Sequence, residues 1–519
     1  MSPTQVCGGE RGWSDVPEAR SWQVRCLDGW RGATRAQRET WRLTALSAVV
    51  GLAVATGTVV VAGPWDSGQR TAERARAAED RRTGGERHVR PASPPGAAPV
   101  LAPLGALTGP RDRGGEAGGQ DALPPPTWPG LADALEPLLK DPALGPVRTA
   151  SVLDAATGQQ VYGAEADSGT TPASAIKVAT GAAALSALGP GHRLTTRVVA
   201  DPDHPDRVVL VGGGDPTLTA RRVDGPDAPA SLRELADATA RTLKRRGIDG
   251  IRLDYDTSLY SGPVLHPIGP NENISPVTPL MVDEGRLDDS AYGPAPRAGD
   301  PAADAAGIFA EMLADRGVEV REEPARHTAP KNADELAAVR SQPLSALVER
   351  MLTTSDNDIA EALARHTAHA SGEPASFHGA SRAVSARLKR LGVPVAGARF
   401  ADGSGLDRAD RVSARLLAQV LVRAAGREHP ELRPVVTGLP VAGFTGTLRG
   451  RWAEDAAGRG VVRAKSGTLT GVNTLTGTVV DADGRLLVFA FMTTGTTDPQ
   501  AAQRALDRLA SAVASCGCR

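Results

Sequence analysis

The sequence predicts an α+β protein in which one five-stranded antiparallel sheet, flanked by helices, is assembled from both ends of the folded chain around a large inserted α/β region. Three observations predict it. Two short strand-like runs, Arg148 to Ala155 and Gln159 to Gly163, meet through a Thr-Gly turn. Three more close the chain, Val461 to Thr468, Val472 to Asp481 and Arg485 to Thr494, joined by short turns such as Asp-Ala-Asp-Gly. Between the two sets, from roughly Leu194 to Arg340, lies a mixed stretch with its own strand signals (RVVLVGGG, GIRLDY) and a helical pattern near Ala302 to Arg316. The apolar periodicity of Leu131 to Lys140 and of Pro499 to Ala514 supplies flanking helices. The expected division is therefore 128–193 with 341–515 as one domain, 194–340 as an insertion and 516–519 as a tail. No fixed-period repeat is visible, which removes solenoids and propellers.

Composition narrows the function. The 519 residues carry 59 Lys plus Arg against 60 Asp plus Glu, for a net charge of −1. Nucleic acid is thereby excluded as the expected partner, since phosphate neutralisation needs a basic face. The chain also contains 58 Gly and 40 Pro, more than a packed domain absorbs, so part of it is linker. Leu43 to Gly63 carries no charge and matches the roughly 20 apolar residues a membrane-spanning helix needs. Arg31, Arg35, Arg38 and Arg42 precede it, which predicts a cytoplasmic 1–42, a spanning anchor at 43–63 and export of the residues beyond the anchor. That run exceeds a typical signal-peptide core, favouring a retained anchor over a cleaved signal. Residues 64–127, rich in Arg, Gly, Ala and Pro, have too little apolar surface to offset the entropy of ordering and read as a flexible tether. Cys7 and Cys26 lie near the N-terminus and Cys516 and Cys518 at the other end, so no disulfide is expected inside the folded part and the Cys-x-Cys reads as a frayed tail.

Three short motifs carry the chemistry. Thr170 to Gly189 (TTPASAIKVATGAAALSALG) has a Thr cap, Pro172 near the first helical position, an Ala-rich body and a Gly-Pro stop. Ser174 falls in its first turn, and Lys177, three residues on, projects from the same face, close enough to take the hydroxyl proton. A lysine can do so only if burial leaves it neutral, which an arginine never is. The chain has six lysines, Lys140, Lys177, Lys244, Lys331, Lys389 and Lys465, so one placed here is conspicuous. Ser355-Asp356-Asn357 falls on the connection between two helical patterns, where it would cap the second and offer a hydroxyl and an amide. Lys465-Ser466-Gly467-Thr468 lies on a strand near the C-terminus, where a cation and a hydroxyl can bind a carboxylate and Gly467 permits close backbone approach.

In the order S-x-x-K, S-D-N, K-[ST]-G these motifs resemble the signature of the serine penicillin-recognising enzymes. Further segments sharpen the resemblance: V-L-V-G-G-G-D-P-T-L at Val209 to Leu218, S-D-N-D-I-A-E, D-G-S-G-L at Asp402 to Leu406, G-T-L-R-G-R and A-K-S-G-T-L. Together, across roughly Arg148 to Ala514, the chain resembles the D-alanyl-D-alanine carboxypeptidase/endopeptidase family typified by penicillin-binding protein 4. The resemblance implies a β-lactamase/transpeptidase-like catalytic domain with the insertion that this family carries between its first two motifs. It also implies a peptidoglycan stem peptide as substrate, β-lactams as inhibitors and an acyl-enzyme on Ser174. On the same resemblance Lys177 is the base, Ser355 relays a proton, and the backbone N–H groups of Ser174 and Thr468 form the oxyanion hole. Asn357 then holds the substrate amide, while Lys465, Ser466, Gly467 and Thr468 bind its end. Ser466 stands where many relatives have Thr, and keeps the hydroxyl. A β-lactamase-like hydrolase and a non-catalytic penicillin-binding sensor remain the alternatives, and carboxypeptidase is not separated from endopeptidase.

Weaker patterns add no cofactor. Gly212-Gly213-Gly214-Asp215 lacks the Gly-Lys-Ser/Thr of a phosphate loop and reads as a turn. The Asp402 to Gly405 segment lacks a nucleophile elbow; the resemblance implies a cleft-lining loop. His366 and His369 share a helix face without HExxH or a third ligand, so no metal is expected.

Overall fold

The computed structural model describes residues 125–452 and 457–518. The expected cytoplasmic segment, the 43–63 anchor and most of the tether lie outside the described residues. Among those described, no helix is long and apolar enough to cross a membrane.

Helix α1 (Trp128–Leu139) is capped by Thr127, whose hydroxyl accepts from Gly130 N. Strands β1 (Val147–Asp154) and β2 (Gln160–Ala164) follow, and a 3-10 turn (Ala173–Ile176) leads into α2 (Lys177–Leu188). The chain then builds β3 (Thr195–Asp201), β4 (His204–Val211), α3 (Leu232–Arg245), β5 (Gly250–Asp256), α4 (Pro301–Ala314), the short β6 (Glu319–Val320) and β7 (Ala325–Arg326), and β8 (Asp334–Arg340). Helices α5 (Leu344–Thr354), α6 (Asn357–Ala370), α7 (Phe377–Arg390), α8 (Ala414–Ala425) and α9 (Arg433–Thr437) come next. Strands β9 (Arg463–Leu469), β10 (Val472–Val480) and β11 (Leu486–Thr494) and helix α10 (Pro499–Ala514) end the described chain.

The five-stranded sheet runs β2-β1-β11-β10-β9, antiparallel throughout, so the two ends of the folded chain meet at the β1–β11 pair. Central β11 reads LLVFAFMTT without polar alternation because both its faces are covered. Leu487, Phe489 and Phe491 pack with Leu131, Leu135, Leu506 and Leu509 of α1 and α10. Val488, Ala490 and Met492 face the opposite core, with Ile176, Leu347, Leu363 and Leu417 from the turn before α2 and from α5, α6 and α8. The period-2 geometry of a strand thus divides one apolar run between two cores. Asp154 and Arg485, both buried, pair across the β1–β11 end of the sheet.

The second sheet runs β6-β5-β4-β3-β8 with β7 also on β5, parallel at β4–β5 and antiparallel at β3–β4 and β3–β8. Amphipathic α3 and α4 bury Leu235, Leu243, Phe309 and Leu313 against Val198, Leu210 and Leu253 of this sheet. The Gly212–Gly214 run is a tight passage: a Cβ on Gly213 would meet Thr195 O at 2.1 Å, and one on Gly212 would meet Pro279 at 2.7 Å.

Three local expectations are corrected. The last sheet strand to carry a motif starts at Arg463, not Val461, because Val461 and Val462 both donate to Gly458 O in a preceding turn. Ser174 lies on a 3-10 turn that leads directly into the α-helix, and Ala173, which opens that turn, has a left-handed φ of 48°. The Cys-x-Cys tail is not frayed: Cys516 is buried against α10, Cys518 O accepts from Thr127 N at 2.7 Å, and the two cysteines form a disulfide. Thr127, the end of the expected tether, is thus bonded to the other end of the described chain.

Candidate active site

Three separate stretches of chain converge along the middle of β9. Lys177 opens α2 with Ser174 one 3-10 turn before it, and its Nζ lies 3.1 Å from Ser174 Oγ. The same Nζ donates to Asn357 Oδ1 at 2.6 Å and to the Ser404 carbonyl at 2.5 Å. Ser355 ends α5 in the left-handed region, φ 63°. Asp356 then caps α6 by accepting from Ile359 N at 2.9 Å, so Asn357 is presented from the first turn of that helix. Lys465 on β9 donates to Ser355 Oγ at 2.9 Å and to the Ser466 carbonyl at 2.6 Å. Ser466 Oγ meets Thr447 Oγ1 at 3.1 Å, and Gln503 donates to Thr468 Oγ1 at 3.3 Å.

Strand β9 is the edge of the sheet, and among the described residues its outer side is bridged only at its start, by Val441 to Arg463 and by Ala464 N donating to Pro440 O at 2.9 Å. Its approach to the nucleophile turn depends on Gly467. A Cβ there would meet Pro172 O at 2.7 Å, Ala175 N at 3.0 Å and Thr474 Oγ1 at 2.3 Å. Within the protein, the close contact that needs this glycine is with the turn carrying Ser174. Two residues beside the reacting groups, Ala173 and Ser355, hold strained positive φ, a cost of about 1–3 kcal/mol each that the surrounding packing sustains.

Both motif lysines are fully buried. Burial drives the Lys177 amine down to about 8, opposed by the carboxylates of Asp402, Asp356, Glu361 and Asp358. Lys465 is lowered well below the ordinary lysine range, first by burial and then by the positive charges of Lys177 and Arg451.

Several contributors had no local signature. Asn273, from the inserted stretch, offers its carbonyl to Asn357 Nδ2 at 2.8 Å, so this amide is already engaged on both sides. The Asp402–Gly405 loop delivers the Ser404 carbonyl; Gly405 has φ 84°, and a Cβ there would meet Ala173 O at 2.0 Å. Cleft lining by this loop was expected, but not its bond to Lys177. His366 is buried beside the Tyr260 ring, with burial lowering it to about 4, while His369 is exposed; the pair shares no site.

Two buried groups among the described residues have metal-like spacing, His266 with Glu361 and Asp402, and Glu284 with Asp356 and Asp358. Both are occupied by protein donors. Gly403 N and Ser404 N donate to Glu361, Gly405 N and Asp407 N to Asp402, and Arg286, Arg350 and Arg297 serve the second set.

The model of the D-Ala-D-Ala carboxypeptidase 3 (S13) family matches residues 131–297 and 292–513. The chain belongs to this family. It is 39% identical over 409 residues to Carboxypeptidase DacB of Mycolicibacterium smegmatis, spanning 76% of this chain and 86% of that protein. Carboxypeptidase Rv3627c of Mycobacterium tuberculosis is 37% identical over 410 residues, with 77% and 86% coverage. The crystal structure of penicillin binding protein 4 (dacB) from Haemophilus influenzae aligns with a TM-score of 0.60 at 22% identity, over 73% of this chain and 97% of that one. This S13 peptidase therefore shares that architecture, inserted domain included.

Proposed function

We propose that this S13 hydrolase is a serine-type D-Ala-D-Ala carboxypeptidase that cleaves peptidoglycan stem peptides through an acyl-enzyme on Ser174 and is acylated by β-lactams at the same atom. The observation that carries the reading is the environment of Lys177 Nζ. A neutral amine has two N–H bonds and one lone pair. Two of its three neighbours, Asn357 Oδ1 and the Ser404 carbonyl, can only accept, so both N–H bonds point to them. The lone pair is left facing the Ser174 hydroxyl, 3.1 Å away. That is the arrangement a general base needs.

In the reaction Ser174 Oγ bonds to the carbonyl carbon between the two D-alanines while its proton passes to Lys177. The oxyanion is held by the N–H groups of Ser174 and Thr468. As the C–N bond breaks, the proton taken up by Lys177 is relayed to the departing amine through Ser355, itself bonded to Lys465, so that Ser355 keeps its hydroxyl and Lys177 is neutral again. Lys465, Ser466 and the Gly467–Thr468 backbone receive the terminal carboxylate, and Asn357 faces the substrate amide. Water then attacks the ester and frees Ser174. The uncharged Leu43 to Gly63 run supports an exported catalytic part held to the membrane by residues 43–63.

Purified protein is expected to be labelled by a fluorescent penicillin and to release D-alanine from a pentapeptide, and Ser174→Ala to do neither. Equal labelling of Ser174→Ala sinks the assignment. Rapid turnover of the penicillin would point to a β-lactamase, and labelling without D-alanine release to a sensor.

A further inference from the structure

The inserted stretch touches the site through one face of α6. Asn357, Glu361 and Arg365, spaced four residues apart, and the adjoining Asp358 each engage it. Asn357 Nδ2 donates to Asn273 O at 2.8 Å, and Asp358 Oδ1 accepts from Ser275 N at 2.9 Å. Arg365, fully buried, donates to the carbonyls of Ser261 and Pro263 and lies under the Phe377 ring. Glu361 faces His266, whose Nε2 is 4.0 Å from its carboxylate. His266 is 3% exposed, and no step of the proposed reaction uses it.

The imidazole is oriented at both ends. Ile268 N donates to Nδ1 at 3.3 Å, so the ring proton sits on Nε2, and Nε2 donates to Asp402 Oδ2 at 2.9 Å. The Phe377 ring meets the imidazole edge-on at 5.4 Å. Asp402 in turn organises the loop that follows it, accepting from Gly405 N at 2.6 Å, Asp407 N at 2.7 Å and Ser404 Oγ at 3.1 Å. Glu361 fixes the same loop from the other side, accepting from Gly403 N and Ser404 N at 2.9 Å each. With both its flanks held, the loop aims one backbone acceptor at the catalytic amine, the Ser404 carbonyl, 2.5 Å from Lys177 Nζ.

We propose that His266 is a positioning residue for acylation: by donating to Asp402 it fixes the 402–405 loop and thereby keeps the Ser404 carbonyl on Lys177. The inserted region then has a part in the chemistry, because it supplies the outermost link that orients the base. The proposal rests on the roles of Ser174 and Lys177 as nucleophile and base.

The charged groups around Lys177 are Asp356, Asp358 and Glu361 at the start of α6, Asp402 on the loop and Lys465 on β9. Those around His266 are Glu361, Asp402 and Asp407. Losing the His266 bond frees the Ser404 carbonyl and weakens its hold on Lys177, and it leaves the Asp402 anion less firmly held near the amine, so the charged form of Lys177 loses support. The acid limb of acylation therefore moves to lower pH.

The test is stopped-flow acylation of the full chain by a chromogenic β-lactam, separating binding from the acylation rate constant, for His266→Ala, His266→Phe and His266→Gln. The Ala and Phe variants are expected to lose about tenfold or more in the acylation step with binding little changed, as outer partners of catalytic groups do. Their acid limb is expected to shift down by about half a pH unit or more. Gln carries an amide N–H that can replace Nε2–H and is expected to restore rate and limb to within about threefold of wild type. Wild-type kinetics in a folded His266→Ala or His266→Phe protein overturns the proposal, as does equal loss in the Gln variant. Should only the Gln variant fold, and act as wild type, the residue is merely structural and the proposal also fails. Failure of the underlying reading is recognised separately, since wild-type protein would then not be acylated at Ser174 at all.

Discussion

The site contains two serine–lysine pairs that look alike by distance and differ in what lies behind them. Lys177 is 3.1 Å from Ser174 and Lys465 is 2.9 Å from Ser355, and both amines are fully buried. Behind Lys177 stand four carboxylates that limit the effect of burial, leaving the amine at about 8. Lys465 has cations for neighbours, Lys177 and Arg451, which lower it in the same direction as burial. The first amine thus sits where a small change in charge alters how much of it can accept a proton, whereas the second has only cations beside it to add to the effect of burial. Two different proton environments follow from the same residue type by surroundings alone.

That contrast can be broken most directly by exchanging the lysines. Lys177→Arg, which cannot deprotonate, is expected to slow penicillin acylation by about 1,000-fold or more. Lys465→Arg is expected to cost about 100-fold, because a guanidinium can still meet the carboxylate but cannot reproduce the compact amine's bond to Ser355. Rate measurements with the reverse ranking would overturn the assigned roles.

A steric change tests whether the pairs must be held together. Gly467→Ala pushes β9 from the Ser174 turn and is expected to slow acylation by about 100-fold and to destabilise by about 1–3 kcal/mol, read by kinetics and chemical denaturation. Unchanged rates would mean that the close contact is incidental.

Smaller in effect is pH. Only neutral Lys177 accepts the Ser174 proton, so the acylation rate should climb with pH and level off above about 8, falling about tenfold per unit below it. A midpoint near the ordinary lysine value would contradict the buried environment.

The smallest expected effect concerns Asp410. Burial beside Asp402 pushes its carboxyl up to about 10 from 3.8, so it is protonated at neutral pH, and its Oδ1 accepts from Ala401 N at 2.6 Å. The folded state holds this proton more tightly than the unfolded chain, so the stability it contributes is complete below about 4 and is lost as pH rises toward about 10. Asp410→Asn should therefore acylate within about threefold of wild type, and its melting temperature should gain on wild type as pH is raised from 4 to 10. A constant difference across that range would show that Asp410 does not carry the proton.

Sequence alone was sufficient for the parts whose geometry is local. Ser174 and Lys177 are one helical turn apart, the Asp356 cap opens α6 directly before Asn357, and β11 is apolar on both faces, so spacing and periodicity were enough to find them. The five strands and the inserted α/β region were legible for the same reason, and the ordered series of three motifs pointed to the family whose model matches residues 131–513. It took the folded chain to establish which backbone carbonyls meet Lys177 and Asn357, since any residue can present a carbonyl and Ser404 and Asn273 carry no side-chain sign of it. Nor could spacing show that Gly467 makes room for Pro172 and Ala175, far away in sequence, or that His266 of the insertion is bonded to Asp402. The lowered lysine belongs to the same class: a residue's identity sets what proton chemistry is available to it, and burial among particular charges, which the fold alone assembles, sets whether that chemistry operates.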